Sequence, residues 1–200
     1  MSFPILGLTG PSGAGKGALA QYLHSAYGFA WIDTDRIYHS LVSAPSPCLD
    51  ELEQAFGKGV ITHGALDRPA LAAIVFAQDA QDKLLLLNRI THKHVIAHSR
   101  TEIESARLGG ARGAIIDAPL LFEAGADALC THTLAVLAAP EARQARITSR
   151  DGIDAKAAQK RMNAQPTDDF YKEHATFVIY NDQALSELYA QADRLVKEIL

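Results

Sequence analysis

Apolar residues in this chain fall into two patterns. At 3–8, 29–32, 114–117, 133–137 and 177–180 they form short continuous runs, which predict strands buried on both faces. Elsewhere they recur every three or four residues, the helical period. Residues 16–27 place Ala20, Leu23 and Tyr27 on one face, and Gly28 ends that helix. Asp67 and Pro69 open another, with Leu71, Ile74 and Val75 as its stripe and Phe76 extending it. Further helices are predicted over 49–56, 154–165 and 184–199, from about Arg36, and from Pro140. Residues 82–108 read as one long helix or a broken one. Residues 43–49, with Pro45 and Pro47, read as a loop, and Gly57-Lys58-Gly59 and 109–113 as turns; Val60-Ile61 is too short to assign. Strands alternate with helices, which predicts an α/β fold with a parallel sheet.

Composition narrows this picture. The 200 residues suit one compact domain, and a hydrophobic fraction of 48% supplies an ordinary core. A net charge of −4 gives no overall basic field, so neither nucleic acid nor a membrane is an expected partner. Cys48 and Cys130 do not make a disulfide framework, and a reducing cytoplasm is expected. No apolar run reaches the length of a membrane span, and the N-terminus enters a strand directly without a signal-peptide layout. A monomer or small homo-oligomer is expected. The chain has no internal repeat and no low-complexity tract.

Ligands of parallel sheets sit beyond the carboxyl ends of the strands, so the residues after each strand matter most. After the first comes Gly10-Pro11-Ser12-Gly13-Ala14-Gly15-Lys16, with the P-loop spacing. Its glycines let the backbone curl with N–H groups inward, and the following helix adds its positive end. Gly13, Ala14, Gly15, Lys16, Gly17 and Ala18 are the candidate nucleotide site, with Lys16 as a mobile cation for the β- and γ-phosphates. A Ser or Thr that binds Mg²⁺ usually follows the lysine. Here Gly17 and then Ala18 follow, so a metal would be held without a loop hydroxyl, through waters.

After the second strand comes Asp33-Thr34-Asp35. A carboxylate there can take a proton from an acceptor hydroxyl, and one of these residues can cap the next helix. Asp35 is preferred as the base, narrowly over Asp33. Asp117 ends the strand at 114–117 in the manner of a Walker B carboxylate near Mg²⁺; the alternative is a turn aspartate before Pro119. After the strand at 133–137, Arg146 and Arg150 lie one helical turn apart, and the next helix carries Lys156, Lys160 and Arg161. Such a hairpin can close over phosphates and neutralise the transferring group, or it is a solvated face. Arg89, His92 and Lys93 make either an anion-binding or a solvated face. His94 and His98 have metal-pair spacing but no nearby third ligand, so zinc is not expected.

These pieces occur in the order found in one known family. Leu8-Thr9-Gly10 with the P-loop, Ile32-Asp33-Thr34-Asp35, residues 64–76 with Arg68, and Thr91-His92-Lys93 resemble dephospho-CoA kinases. So do Pro119-Leu120-Leu121-Phe122-Glu123, the most specific stretch, then Arg146, Arg150-Asp151, Arg161 to Gln165, and Val178-Ile179-Tyr180-Asn181-Asp182. The resemblance implies a P-loop core over about 1–36 and 110–200, a helical CoA-binding insertion over about 37–109 and a lid over about 143–165. It implies transfer of the γ-phosphoryl group of ATP, with Mg²⁺, to the ribose 3′-hydroxyl of dephospho-CoA. Asp35 falls on the family's base, and Lys16, Arg146 and Arg150 on its phosphate-side cations. Asn181 falls on the adenine side, and Asp33, Arg68, His92, Leu120, Glu123 and Arg161 on acceptor-binding regions. Transfer to a small acceptor must also exclude water, which predicts lid closure, with the arginines arriving only in the closed state. Gly17, Ala18 and Lys93, the last standing where a proline is usual, depart from the pattern. A cytidylate-like nucleoside-monophosphate kinase, or a nucleotide-binding module without catalysis, is the alternative.

Overall fold

The computed structural model describes residues 3–200 and divides the chain into two compact units. The first holds the chain up to Ile32 and from Ile103 onward; the second is Asp33–Glu102.

The first unit is built on a five-stranded sheet. Its strands are β1 (Ile5–Thr9), β2 (Phe29–Asp33), whose last residue begins the second unit, β5 (Gly113–Asp117), β6 (His132–Leu137) and β7 (Phe177–Tyr180). Their order is β2-β5-β1-β6-β7, and the β1–β5, β1–β6 and β6–β7 pairings are parallel. Every residue of β1 is buried, as its continuous apolar run requires at the centre of a covered sheet. The flanking helices are α1 (Lys16–Tyr27), α6 (Pro140–Asp151), α7 (Ala155–Asn163), α8 (Asp168–His174) and α9 (Leu185–Ile199). α1 and α9 cover one core that includes Leu6, Leu8, Leu19, Leu23, Leu188 and Val196. Asp193 of α9 accepts from Tyr22 at 2.5 Å and from Tyr27 at 2.7 Å, which pins α9 to α1.

The second unit contains α2 (Thr34–Ser43), α3 (Pro47–Phe56), the antiparallel pair β3 (Ile61–Thr62) and β4 (Ala65–Leu66), and α4 (Arg68–Val75). The long helix α5 (Gln81–Leu108) belongs to it up to Glu102 and is unbroken. Its cores are small. One gathers Val42, Cys48, Leu52 and Ile90, and the other Val60, Leu71 and Val75.

Three elements differ from the pattern of the sequence. The loop expected over 43–49 ends early, because Ser46 caps α3 by accepting from Leu49 N at 3.1 Å and Pro47 occupies the first turn. Phe76 does not extend the α4 stripe. It is the C-cap, its backbone leaves the helix at φ −106°, and its side chain is 72% exposed. α8 has no counterpart among the expected helices; its seven residues are too few to show a period, although Tyr171 is fully packed against β6.

Candidate functional site

β1 continues toward β2 on one side of the sheet, and β6 continues toward β7 on the other. The two strands are parallel neighbours from which the chain winds to opposite edges of the sheet, and the crevice at such a point is where α/β folds bind ligands. The P-loop follows β1 and α6 follows β6, which brings the loop against α6.

The loop's glycines are explained by what stands behind them. Gly10 has φ 133°, and a Cβ there would lie 2.2 Å from Val136 O on β6. At Gly13 (φ 79°) it would lie 2.6 Å from Arg143 O, and at Gly15 (φ 108°) 2.2 Å from the Asn181 amide. All three conformations also disfavour any side chain. Gly17 is different: a Cβ there meets nothing within 4 Å. Lys16 Nζ donates to Gly10 O at 3.0 Å and so lies folded along the loop.

The loop's carbonyls are tied from the rear. Arg143 Nε donates to Ser12 O at 3.1 Å, and Arg146 Nη1 donates to Gly13 O at 3.1 Å and Ala14 O at 3.5 Å. Arg146 Nη2 donates to Asn181 O at 2.8 Å, and Asn181 Nδ2 donates to Ala14 O at 2.8 Å. Ser12 N–H donates to Gln165 Oε1 at 2.9 Å. Asn181 is 3% exposed, and its Oδ1 has no hydrogen-bond partner among the described residues. Arg146 thus already lies against the loop, in contrast to the expectation that it arrives with lid closure. Arg143 and the carbonyl-binding use of Arg146 were missed by sequence reasoning, and Gln165 figured there only as the end of a lid-like stretch. The period of α6 places Arg143 and Arg146 on a helix but not against a particular loop.

Arg150 is held elsewhere in the same unit. Its guanidinium donates to both oxygens of Asp151, at 2.7 and 3.0 Å, and Arg161 also pairs with Asp151. Those bonds, first the one from Arg150, pull the Asp151 carboxyl down to about 2. The α6–α7 hairpin is closed by this three-residue cluster and by Ile147, Ala158 and Met162.

Asp117 ends β5 opposite Leu8 of β1, one residue short of Thr9, and is half-buried. Thr9 Oγ1 donates to Pro119 O at 3.3 Å, which fixes the start of the 119–123 stretch beside the loop. In that stretch Leu121 is fully buried, Phe122 packs edge-on to Phe170, and Leu120 and Glu123 are exposed.

Four candidate residues belong to the second unit. Asp33 is the N-cap of α2, accepting from Arg36 N at 3.0 Å, and Asp35 is exposed in the first turn. The cap thus falls to Asp33. Arg68 Nη2 donates to His39 Nδ1 at 2.5 Å, and its guanidinium lies 5.9 Å from the Tyr38 ring centre. His92 is half-buried on α5. Of the cationic face beside it, Lys93 and His94 both bind Glu51 Oε2, at 2.5 and 2.7 Å, so part of that face is internal pairing. His98 pairs with Glu102, and no group of three His, Cys, Asp or Glu among the described residues is placed to hold a metal ion.

The donor set still suits one kind of metal. Mg²⁺ keeps several waters and needs only one or two carboxylates beside phosphate oxygens. Asp117, at the end of β5, carries one carboxylate of that kind, and Gly17 and Ala18 carry no ligand group.

The family model for dephospho-CoA kinase matches residues 4–187. The chain belongs to the dephospho-CoA kinase family. It is 36% identical over 196 residues to the dephospho-CoA kinase of Corynebacterium efficiens, covering 98% of this chain and 96% of that one. Among solved structures, a Thermus thermophilus protein matches with a TM-score of 0.78 and 30% identity over 100% of both chains. The dephospho-CoA kinase of Campylobacter jejuni has the same fold, with a TM-score of 0.66 and 22% identity over 98% of this chain and 96% of that one. As a dephospho-CoA kinase family member the chain is a P-loop kinase, and the nucleoside-monophosphate kinase alternative is not favoured. No helix among the described residues is long and apolar enough to cross a membrane.

Proposed function

We propose that this kinase transfers the γ-phosphoryl group of ATP to the ribose 3′-hydroxyl of dephospho-CoA, giving coenzyme A and ADP. The observation that carries the reading is the P-loop itself, a glycine-built anion cradle whose carbonyls are drawn rearward by Arg146 and Asn181. The near full-length family match supports the choice of acceptor.

In this reading the loop N–H groups and Lys16 hold the β- and γ-phosphates. Asp35 takes the proton of the 3′-hydroxyl as its oxygen bonds to the γ-phosphorus and the bond from that phosphorus to the bridging oxygen of ADP breaks. Asp33 caps α2, the helix whose first turn carries Asp35. Arg150, with Arg161 beside it on Asp151, neutralises charge on the transferring group. Arg68, His92, Leu120 and Glu123 contact the acceptor, and Asn181 lies on the adenine side. Asp117, with waters, would hold Mg²⁺, which would supply charge neutralisation on the phosphate oxygens. The first unit is the nucleotide-binding core with a lid at the α6–α7 hairpin, the second is the acceptor-binding insertion, and the enzyme works in the cytoplasm.

The test is phosphoryl transfer from ATP and Mg²⁺ to dephospho-CoA, with a panel of CMP, UMP and AMP as rival acceptors. Coenzyme A formation that falls by several powers of ten in Asp35→Ala supports the reading. Preference for a monophosphate, or ATP binding with no transfer to any acceptor, sinks it.

A further inference from the structure

Ser12 stands in the P-loop between Pro11 and Gly13, and both its backbone groups are held from behind. Its carbonyl accepts from Arg143 and its N–H donates to Gln165. Neither side chain has a part in the reaction described above. Arg143 is only 6% exposed, and its carboxylate neighbour among the described residues, Asp168, lies 3.7 Å from Nη1, beyond good hydrogen-bond reach. Burial lowers the pKa of Arg143, against the opposing effect of Asp168. A guanidinium withdrawn from water is costly unless its donors are satisfied. Here a P-loop carbonyl satisfies one of them. The main chain of Arg143 also backs Gly13 so closely that no side chain would fit there.

The direction of these bonds matters. In a trans peptide the C=O and the following N–H point opposite ways. Drawing Ser12 C=O back to Arg143 therefore turns Gly13 N–H forward. Drawing Ala14 C=O back to Asn181 does the same for Gly15 N–H. N–H groups aimed before a phosphate arrives spare the binding step the cost of ordering the loop.

We propose that Arg143 is a positioning residue for ATP, holding Ser12 together with Gln165 so that the loop is already shaped for the phosphates. Arg143 does this without touching the nucleotide. The inference rests on the nucleotide-binding reading above.

The experiment is titration calorimetry of ATP with Mg²⁺, joined to steady-state kinetics and thermal melting, on wild type, Arg143→Ala, Arg143→Lys and Gln165→Leu. Arg143→Ala is expected to bind ATP about tenfold more weakly, the loss of one charge-assisted hydrogen bond. Its KM for ATP rises by the same factor while KM for dephospho-CoA does not move. Arg143→Lys keeps the charge and recovers part of the affinity. Gln165→Leu leaves Arg143 in place, weakens ATP binding in the same sense, and carries the test if Arg143→Ala does not fold. Folded variants with wild-type ATP affinity overturn the proposal. So does a lowered melting temperature with unchanged ATP affinity, which would make Arg143 a packing residue. Wild type that binds no ATP overturns the nucleotide-binding reading itself, and the proposal with it.

Discussion

Arg146 and Gly13 are joined across the first unit, guanidinium to carbonyl at 3.1 Å, in the same clamp that reaches Asn181 O at 2.8 Å. Arg150, one turn further along α6, bonds instead to its neighbour Asp151. The two arginines therefore separate in experiment. Arg146→Ala is expected to cost about 2 kcal/mol of stability through lost charge-assisted bonds, and to weaken ATP binding. The Arg150 side chain is 60% exposed, and its loss should change stability by less than about 1 kcal/mol. Phosphoryl transfer in Arg150→Ala should nonetheless fall about 10³-fold, if it neutralises the transferring group. Urea unfolding read beside kcat decides; a stability loss in Arg150→Ala equal to that in Arg146→Ala would contradict the division.

The two aspartates at the end of β2 separate in the same way. Asp33 caps α2, so Asp33→Ala should lower stability by about 1 kcal/mol. Asp35 is exposed and not the cap, so Asp35→Asn should keep the α2 cap while coenzyme A formation collapses. An Asp35→Asn enzyme with near wild-type kcat would remove Asp35 from the role of base.

Gly10 and Gly17 make a steric pair of controls. An alanine at Gly10 would meet Val136 O at 2.2 Å in a backbone conformation at φ 133°, so Gly10→Ala should abolish ATP binding or folding. An alanine at Gly17 meets open space, and Gly17→Ala should bind ATP as wild type does. Equilibrium ATP titration of both variants is the check, and a severe defect in Gly17→Ala would point to a backbone demand not explained by its surroundings.

Asp151 gives a pH signature. Its carboxyl is depressed to about 2 by Arg150 and Arg161, below its value in an unfolded chain of about 4. A lowered folded-state pKa contributes stability that is fully present above the unfolded value and is lost as pH falls through the folded one. The stability difference between wild type and Asp151→Asn should be level above about pH 4 and shrink between about pH 4 and 2. Denaturation midpoints across that range test it. A difference that stays level through the range would show that the pairing does not persist in solution.

Much of this protein was legible in its residues. The apolar runs located all five strands of the main sheet, because strands covered on both faces cannot alternate. The left-handed turns of the P-loop glycines, the cap at Asp67 and a helix over 82–108, left open as whole or broken, followed from local rules that act over a few residues. Tertiary structure alone decided the rest. α8 is too short to show a period, and Phe76 left its stripe through a change of backbone angle at the helix end. Lys93 and His94 were claimed by Glu51, more than forty positions away in the chain. Strand order brings α6 behind the P-loop, so Arg143 reaches Ser12 over a separation of 131 residues. A hydrogen bond is set by distance and direction in space, and neither is written in the spacing of residues along the chain.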